Sequence, residues 1–184
     1  MIKNILLIVL SATIMGGCVN LDKPPSAKHY ILDANPSTFA NEGKSTNVKV
    51  LPIRIPTYLN QANLVLKLDD HQIQISNYHF WADDLRQSIQ RVMIKQLNMP
   101  DSEYSFGEKC RSCKQIGIHI DHYYPSQSGE VYLSGTYTIT EYNESQTQHA
   151  FSYSLPLEKG GFDESVKGMR SLLNELAANI ISNM

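Results

Sequence analysis

The sequence predicts an α+β fold in which a mainly antiparallel sheet packs one face against two amphipathic helices. Three segments in the second half of the chain alternate apolar and polar residues with a period of two, as half-buried strands do. Two other segments repeat apolar residues every three to four positions, as helices with a single apolar stripe do. Since each helix has only one stripe to bury, both helices need a sheet face to cover, which gives a two-layer domain.

The amino-terminal segment predicts export and lipidation. Lys3 precedes an apolar run over residues 5–14, and two glycines stand directly before Cys18. This is the order of a secretory signal peptide, and the run is too short for a membrane-spanning helix. Residues 15–18 (Met-Gly-Gly-Cys) also resemble a bacterial lipobox. We therefore predict a lipoprotein signal peptide over residues 1–17, with palmitate or a similar acyl chain on Cys18. The alternative is an ordinary cleaved signal with a chance cysteine.

The rest of the chain predicts a tether followed by one domain. Residues 18–28 contain Pro24 and Pro25 and show no periodicity, which is typical of an extended linker. Residues 29–184 have the length and apolar content of a single globular periplasmic domain. The formal net charge is −2, so we expect no nucleic-acid partner.

The domain begins with short strands. Strands are predicted at 30–32 and 48–51, with a loop over 34–47, and a hairpin is predicted from 64–68 and 72–76. Between them, Pro52 and Pro56 confine the chain to an extended or edge segment.

The helices are predicted over 78–98 and from 162 onward. The apolar stripe of the first contains Leu85, Ile89, Val92, Met93 and Leu97, with Arg86, Gln90, Arg91 and Lys95 opposite. Asp83 and Asp84 fall in its first turn, where negative charge is favourable. Trp81, in the opening of this helix, is interpreted as a core residue, with partner contact as the alternative. The three alternating segments between the helices predict an antiparallel meander.

Cys110 and Cys113 have the C-x-x-C spacing. In an exported protein, the two cysteines that remain besides Cys18 predict a structural disulfide. A redox role is the alternative, but a thioredoxin-like pair would open a helix after a strand, whereas this pair precedes a strand. A zinc site would need two more ligands, and His119 and His122 fall on opposite faces of a strand. No metal site is predicted.

The sequence carries none of the common motifs for nucleophilic catalysis or phosphate binding. No serine stands in a G-x-S-x-G turn, and no glycine-rich phosphate loop precedes a helix. We therefore expect a protein that is not an enzyme, with no cofactor apart from the lipid on Cys18.

One segment suggests partner binding. Residues 52–59 (Pro-Ile-Arg-Ile-Pro-Thr-Tyr-Leu) are apolar and bounded by proline, and such a segment can pair along a sheet edge or dock in another protein. Its candidate contact residues are Ile53, Ile55, Tyr58 and Leu59. The alternative is that they anchor the core.

Taken together, these residues resemble the ABC-type transport auxiliary lipoproteins, the PqiC- or YmbA-like family. The resemblance covers the lipobox, residues 30–32, 50–53 with 56–59, 78–85, 129–133 and the closing helix. The most specific pieces are the Leu-Pro…Tyr-Leu segment and the Trp-Ala-Asp-Asp-Leu helix start. Phe80 stands where the family often has Arg, and the C-x-x-C pair is not a general family feature.

The resemblance implies a non-enzymatic role. Members sit on the periplasmic face of the outer membrane of Gram-negative bacteria. There they work with an MCE-domain protein of an inner-membrane, ABC-linked system that moves lipids or other hydrophobic molecules between the membranes and supports the envelope. Val19, where Asp would signal retention in the inner membrane, favours the outer membrane. A second copy of the chain is a further candidate partner. The alternatives are a stand-alone lipid-binding lipoprotein and a C-x-x-C redox factor.

Overall fold

The computed structural model describes residues 23–33, 46–98 and 103–184. In chain order the elements are β1 (Lys28–Tyr30), β2 (Val48–Val50), a 3₁₀ turn (Thr57–Leu59), β3 (Asn63–Lys67), β4 (Ile73–Trp81), α1 (Leu85–Leu97), β5 (Phe106–Gly107), β6 (Lys114–Pro125), β7 (Glu130–Thr140), β8 (Gln146–Pro156) and α2 (Phe162–Ser182). The predicted signal peptide and Cys18 lie outside the described residues, as does most of the predicted 34–47 loop. Neither described helix combines the length and apolarity needed to cross a membrane.

A five-stranded sheet carries the fold, with strand order β5-β2-β6-β7-β8. The meander β6-β7-β8 is antiparallel as predicted, whereas β2 pairs in parallel with both β5 and β6. Alternation decides which face is inner: Ile116, Ile118 and Ile120 of β6 and Val131 and Leu133 of β7 are all buried. The sheet is therefore mixed rather than purely antiparallel, and its long pairings are antiparallel as predicted.

A second, three-stranded sheet has the order β1-β4-β3. The predicted hairpin is its antiparallel β3-β4 pair, and β1 adds to β4 in parallel. Splitting into two sheets was not expected from the sequence, because the three parallel pairings, β1 with β4 and β2 with β5 and β6, join segments that are distant along the chain.

Both helices pack on the core. α2 crosses the inner faces of β6, β7 and β8 and contacts α1, which lies beside β5. Gly168 of α2 permits this close approach, since a Cβ there would stand 3.0 Å from Val131 and 2.9 Å from Leu157. The α+β class with two amphipathic helices is thus confirmed.

The start of α1 differs from the prediction. Residues 78–81 were expected to open the helix, but they end β4, where His79, Phe80 and Trp81 pair with the three residues of β1. The helix begins at Leu85, and the Asp84 side chain caps it by accepting the Gln87 N–H at 2.8 Å. Trp81 is a core residue, 7% exposed, as interpreted.

An ion cluster fastens the amino-terminal strand to both helices. The Asp33 carboxylate pairs with Lys95 of α1 and, at 3.2 Å, with Arg170 of α2, which also donates to the Leu32 carbonyl at 3.1 Å. All three charged side chains are largely buried. Burial alone would raise the pKa of Asp33, but the hydrogen bonds and charges of Lys95 and Arg170 outweigh it and hold the pKa below its usual range. We call this cluster the Asp33 clamp.

Candidate interaction site

The segment predicted to bind a partner lies along the edge of β6. Beyond β2 the chain continues as an irregular parallel pairing, in which the Arg54 N–H donates to the Ile118 carbonyl at 3.0 Å and the Arg54 carbonyl accepts from Ile120 at 2.9 Å. Pro52 and Pro56 have no N–H and cannot contribute to a regular ladder. The predicted extended segment is therefore present, and its backbone is held by the sheet.

A buried glutamine fixes the same segment from the helix side. The Ile53 N–H points away from the sheet and donates to Gln90 Oε1 at 3.0 Å, while Gln90 Nε2 lies 3.5 Å from the Val50 carbonyl. Gln90 was expected on the solvent face of α1, yet it is only 8% exposed. Sequence reasoning missed this residue, because no periodicity distinguishes a glutamine that satisfies buried backbone from one that faces water.

The four candidate contact residues differ in how far their side chains are buried. Ile53 and Leu59 are each 2% exposed and belong to the core, so their side chains are not available to a partner. Ile55 and Tyr58 are half-buried and pack against the core with one side only. Ile53 and Leu59 are thus core anchors, the alternative given above, while partner binding through Ile55 and Tyr58 stays a prediction.

Tyr58 sits in the 3₁₀ turn and is fixed by its hydroxyl, which donates to the Asp121 carbonyl at 2.9 Å and lies 3.3 Å from His122 Nδ1. The pKa of Tyr58 is raised to about 12, mainly by burial and to a smaller extent by the neighbouring Tyr124 and Asp121. The phenol therefore remains protonated near neutral pH and keeps donating this hydrogen bond.

Aromatic side chains continue from Tyr58 across the sheet. Tyr58 lies 6.5 Å from Tyr124 between ring centroids, Tyr124 lies 6.3 Å from Tyr132, and the ammonium of Lys67 stands 5.5 Å from the Tyr132 ring. Tyrosine is enriched in protein interfaces whereas lysine is depleted there, so it is the tyrosines rather than Lys67 that indicate an interaction surface.

A cleft of about 640 Å³ opens between the segment and α1. Three cationic side chains, Arg86, Arg91 and Lys109, line it together with one carboxylate, Glu108. Arg91 is paired with Asp83 and Ser88. The other lining residues are Val50, Pro52, Ile53, Gln87 and Gln90. The cleft thus combines an apolar wall of Val50, Pro52 and Ile53 with charged side chains whose sum is positive.

The C-x-x-C loop borders this cleft, since Lys109 precedes Cys110. The Cα atoms of Cys110 and Cys113 lie 6.1 Å apart, a separation that a disulfide spans. Within the described residues no group of three or more His, Cys, Asp or Glu side chains is arranged to hold a metal ion.

The comparisons with known proteins identify the family. The chain matches the family model of the ABC-type transport auxiliary lipoprotein component over residues 30–181. The chain belongs to this family. The match leaves out only the first two residues of β1 and the last residue of α2 among the helices and strands, so it covers the site as well as the fold.

Two solved structures have a similar fold to this member of the ABC-type transport auxiliary lipoprotein family. The crystal structure of an uncharacterized protein has a TM-score of 0.74 at 20% identity, covering 86% of this chain and 99% of its own. A DUF330-family protein from Xanthomonas campestris has a TM-score of 0.66 at 9% identity, covering 85% of this chain and 90% of its own. These likenesses show the fold alone. No curated protein matches the chain.

Proposed function

We propose that this auxiliary lipoprotein is a docking component of an MCE-type, ABC-linked intermembrane transport system for lipids or other hydrophobic molecules. In this proposal, acylated Cys18 anchors the domain to the periplasmic face of the outer membrane. The folded domain then receives an MCE-domain protein and acts without catalysis. The family match over residues 30–181 supports the transport role, and the lipobox with Val19 after its cysteine supports the location.

The surface around Ile55 and Tyr58 is the proposed contact. Its backbone is fixed on both sides, by β6 and by Gln90, and the Tyr58 hydroxyl is held by Asp121. A surface that is already ordered loses little conformational entropy on binding, so more of the contact energy becomes affinity. This pre-organised segment is the observation that carries the docking proposal.

The lining of the neighbouring cleft argues against a carrier that holds lipid in its own pocket. An acyl chain needs an enclosure free of charge, whereas Arg86, Arg91, Glu108 and Lys109 line this cleft beside the apolar Val50, Pro52 and Ile53. A charged cleft beside half-buried apolar side chains is better suited to binding the surface of another protein than to enclosing an acyl chain.

The test is crosslinking in intact cells followed by affinity purification of the lipidated protein, tagged through a flexible linker after Met184. We expect to recover an MCE-domain protein with the parent chain and less of it with the Ile55→Ser/Tyr58→Ala double variant. Tyr142→Ala is the matched control, since Tyr142 is a 64% exposed tyrosine in the β7–β8 turn. Cys18→Ala should abolish membrane anchoring and recovery together.

Two results would count against the proposal. If no MCE-domain protein is recovered and solvent extraction of the purified protein yields bound lipid, the carrier function replaces docking. If the partner is recovered equally well with the double variant and with Tyr142→Ala, docking occurs through another surface.

A further inference from the structure

The free edges of the two sheets are of very unequal length. Within the described residues, the five-stranded sheet ends at β5, which has two residues, and at β8, which has eleven. The three-stranded sheet ends at β1, with three residues, and at β3, which is partly paired through Lys67 to Ser126. A long edge strand offers a row of backbone N–H and C=O groups to another strand, and proteins normally keep such edges short or blunted.

β8 has none of the usual features that blunt an edge. Residues 146–156 (Gln-Thr-Gln-His-Ala-Phe-Ser-Tyr-Ser-Leu-Pro) contain no Asp, Glu, Lys or Arg, and the only proline is the last residue. The pairing of β8 with β7 runs without a bulge from Gln146 opposite Thr140 to Pro156 opposite Glu130. Charges return directly outside the strand, at Glu144 and Glu158. The regular, uncharged stretch therefore coincides with the strand itself.

We propose that β8 pairs antiparallel with β8 of a second copy of this chain, about a two-fold axis at Phe151. The two five-stranded sheets then join into one continuous sheet. A head-to-tail arrangement through the opposite edge would use the two residues of β5, whereas the two-fold arrangement uses the whole strand. Because the strand is uncharged, pairing with itself brings no like charges together.

Next to Phe151, the side chains that face each other across the two β8 strands are similar in size. On the helix-covered face, His149 falls opposite Tyr153 of the second copy. Both rings are half-buried in one chain, and each would cover the other. On the outer face, exposed Ala150 falls opposite exposed Ser152, so small uncharged residues meet and allow close approach. In the pairs next to the axis, large side chains thus face large ones and small ones face small ones, whereas farther out Gln148 falls opposite Ser154 and Thr147 opposite Leu155.

The test uses two matched double variants of the full-length lipidated protein in detergent. Ala150→Lys/Ser152→Lys places two like-charged pairs across the two-fold axis, whereas Ala150→Lys/Ser152→Asp places two opposite-charged pairs at the same positions. Both sites are exposed on one strand face, so the fold of the single chain should tolerate either variant. The readouts are mass by light scattering at micromolar protein and backbone hydrogen exchange in β8.

The parent chain should be a dimer in which the outward-facing amides of β8 are protected. The Lys/Lys variant should associate roughly tenfold more weakly or worse and lose that protection, while the Lys/Asp variant should stay dimeric. A monomeric parent chain would overturn the proposal, including the case in which β8 becomes protected only when another protein is added. The proposal would also be overturned if the Lys/Lys variant remained as dimeric as the parent chain, or if the Lys/Asp variant weakened the dimer as much as the Lys/Lys variant does. None of these outcomes depends on the transport partner.

Discussion

Gln90→Ala tests whether the interaction segment is held by the helix. The substitution removes the only acceptor that the structure shows for the buried Ile53 N–H, together with the longer contact from Nε2 to the Val50 carbonyl. A buried donor left without a partner costs about 1–3 kcal/mol. The 3.5 Å contact to Val50 is at the limit of hydrogen-bond geometry and adds little.

The measurement is urea unfolding of the parent chain and the variant. We expect the free energy of unfolding to fall by about 1–3 kcal/mol, which is roughly a 5- to 150-fold change in the unfolding equilibrium constant. Hydrogen exchange gives a local readout, because the Ile53 amide should lose protection by a larger factor than amides in β7. The slope of free energy against urea should stay the same, since the fold is retained.

Gln87→Ala is the control for this substitution. Gln87 is the same residue type on the same helix, but its side chain is exposed. The reasoning would be refuted if both variants lost equal stability, or if the Ile53 amide kept its protection in Gln90→Ala. Either result would mean that pairing with β6 alone holds the segment.

Three further substitutions test the fold. Asp33→Asn should lower stability at neutral pH by about 1–3 kcal/mol, since charge-assisted hydrogen bonds of the Asp33 clamp are lost. Because the pKa of Asp33 is lowered in the folded state, its contribution is present above the unfolded-state pKa and disappears as pH falls through the folded value. The variant and parent should therefore converge in acid, with Glu158→Gln, at an exposed carboxylate between β8 and α2, unchanged at either pH as control. Gly135→Ala should prevent folding or lower the melting temperature sharply, since its Cβ would stand 2.1 Å from a carbonyl oxygen of β6. Gly160→Ala is the control: its Cβ meets nothing within 4 Å, so this variant should melt like the parent. Cys110→Ser should cost roughly 2 kcal/mol or less in unfolding free energy for so short a loop, with partner crosslinking intact; loss of crosslinking without loss of stability would favour the redox alternative.

Local patterns were sufficient to predict the elements whose neighbours are close in the chain. The meander of β6, β7 and β8 follows from strict alternation and short polar connections, and α2 follows from one apolar stripe over twenty-one residues. The α+β class depended on these elements alone. The hairpin of β3 and β4 was also predictable, because a connection of five residues joins its strands.

The features that the sequence did not predict all depend on contacts between residues that are distant from each other in the chain. Residues 78–81 carry aromatic side chains that fit either a helix start or a strand, and pairing with β1, about fifty residues earlier, decides for the strand. The parallel pairing of β2 with β6 likewise joins residues more than sixty positions apart, which no local pattern reports. The same reason explains Gln90: its acceptor role depends on Ile53, and only the fold brings the two together.

The two proposed surfaces occupy different parts of the same sheet, and their separation follows from strand order. The segment with Ile55 and Tyr58 continues β2 along β6, while β8 is the opposite edge. In the joined sheet, seven strand spacings of about 4.8 Å separate β2 of one copy from β2 of the other, so the two strands would lie roughly 34 Å apart. Pairing through β8 would therefore leave the Tyr58 surface of each copy uncovered. A dimer would present two docking surfaces to one partner assembly, so weak single contacts could combine into stable attachment without any new contact.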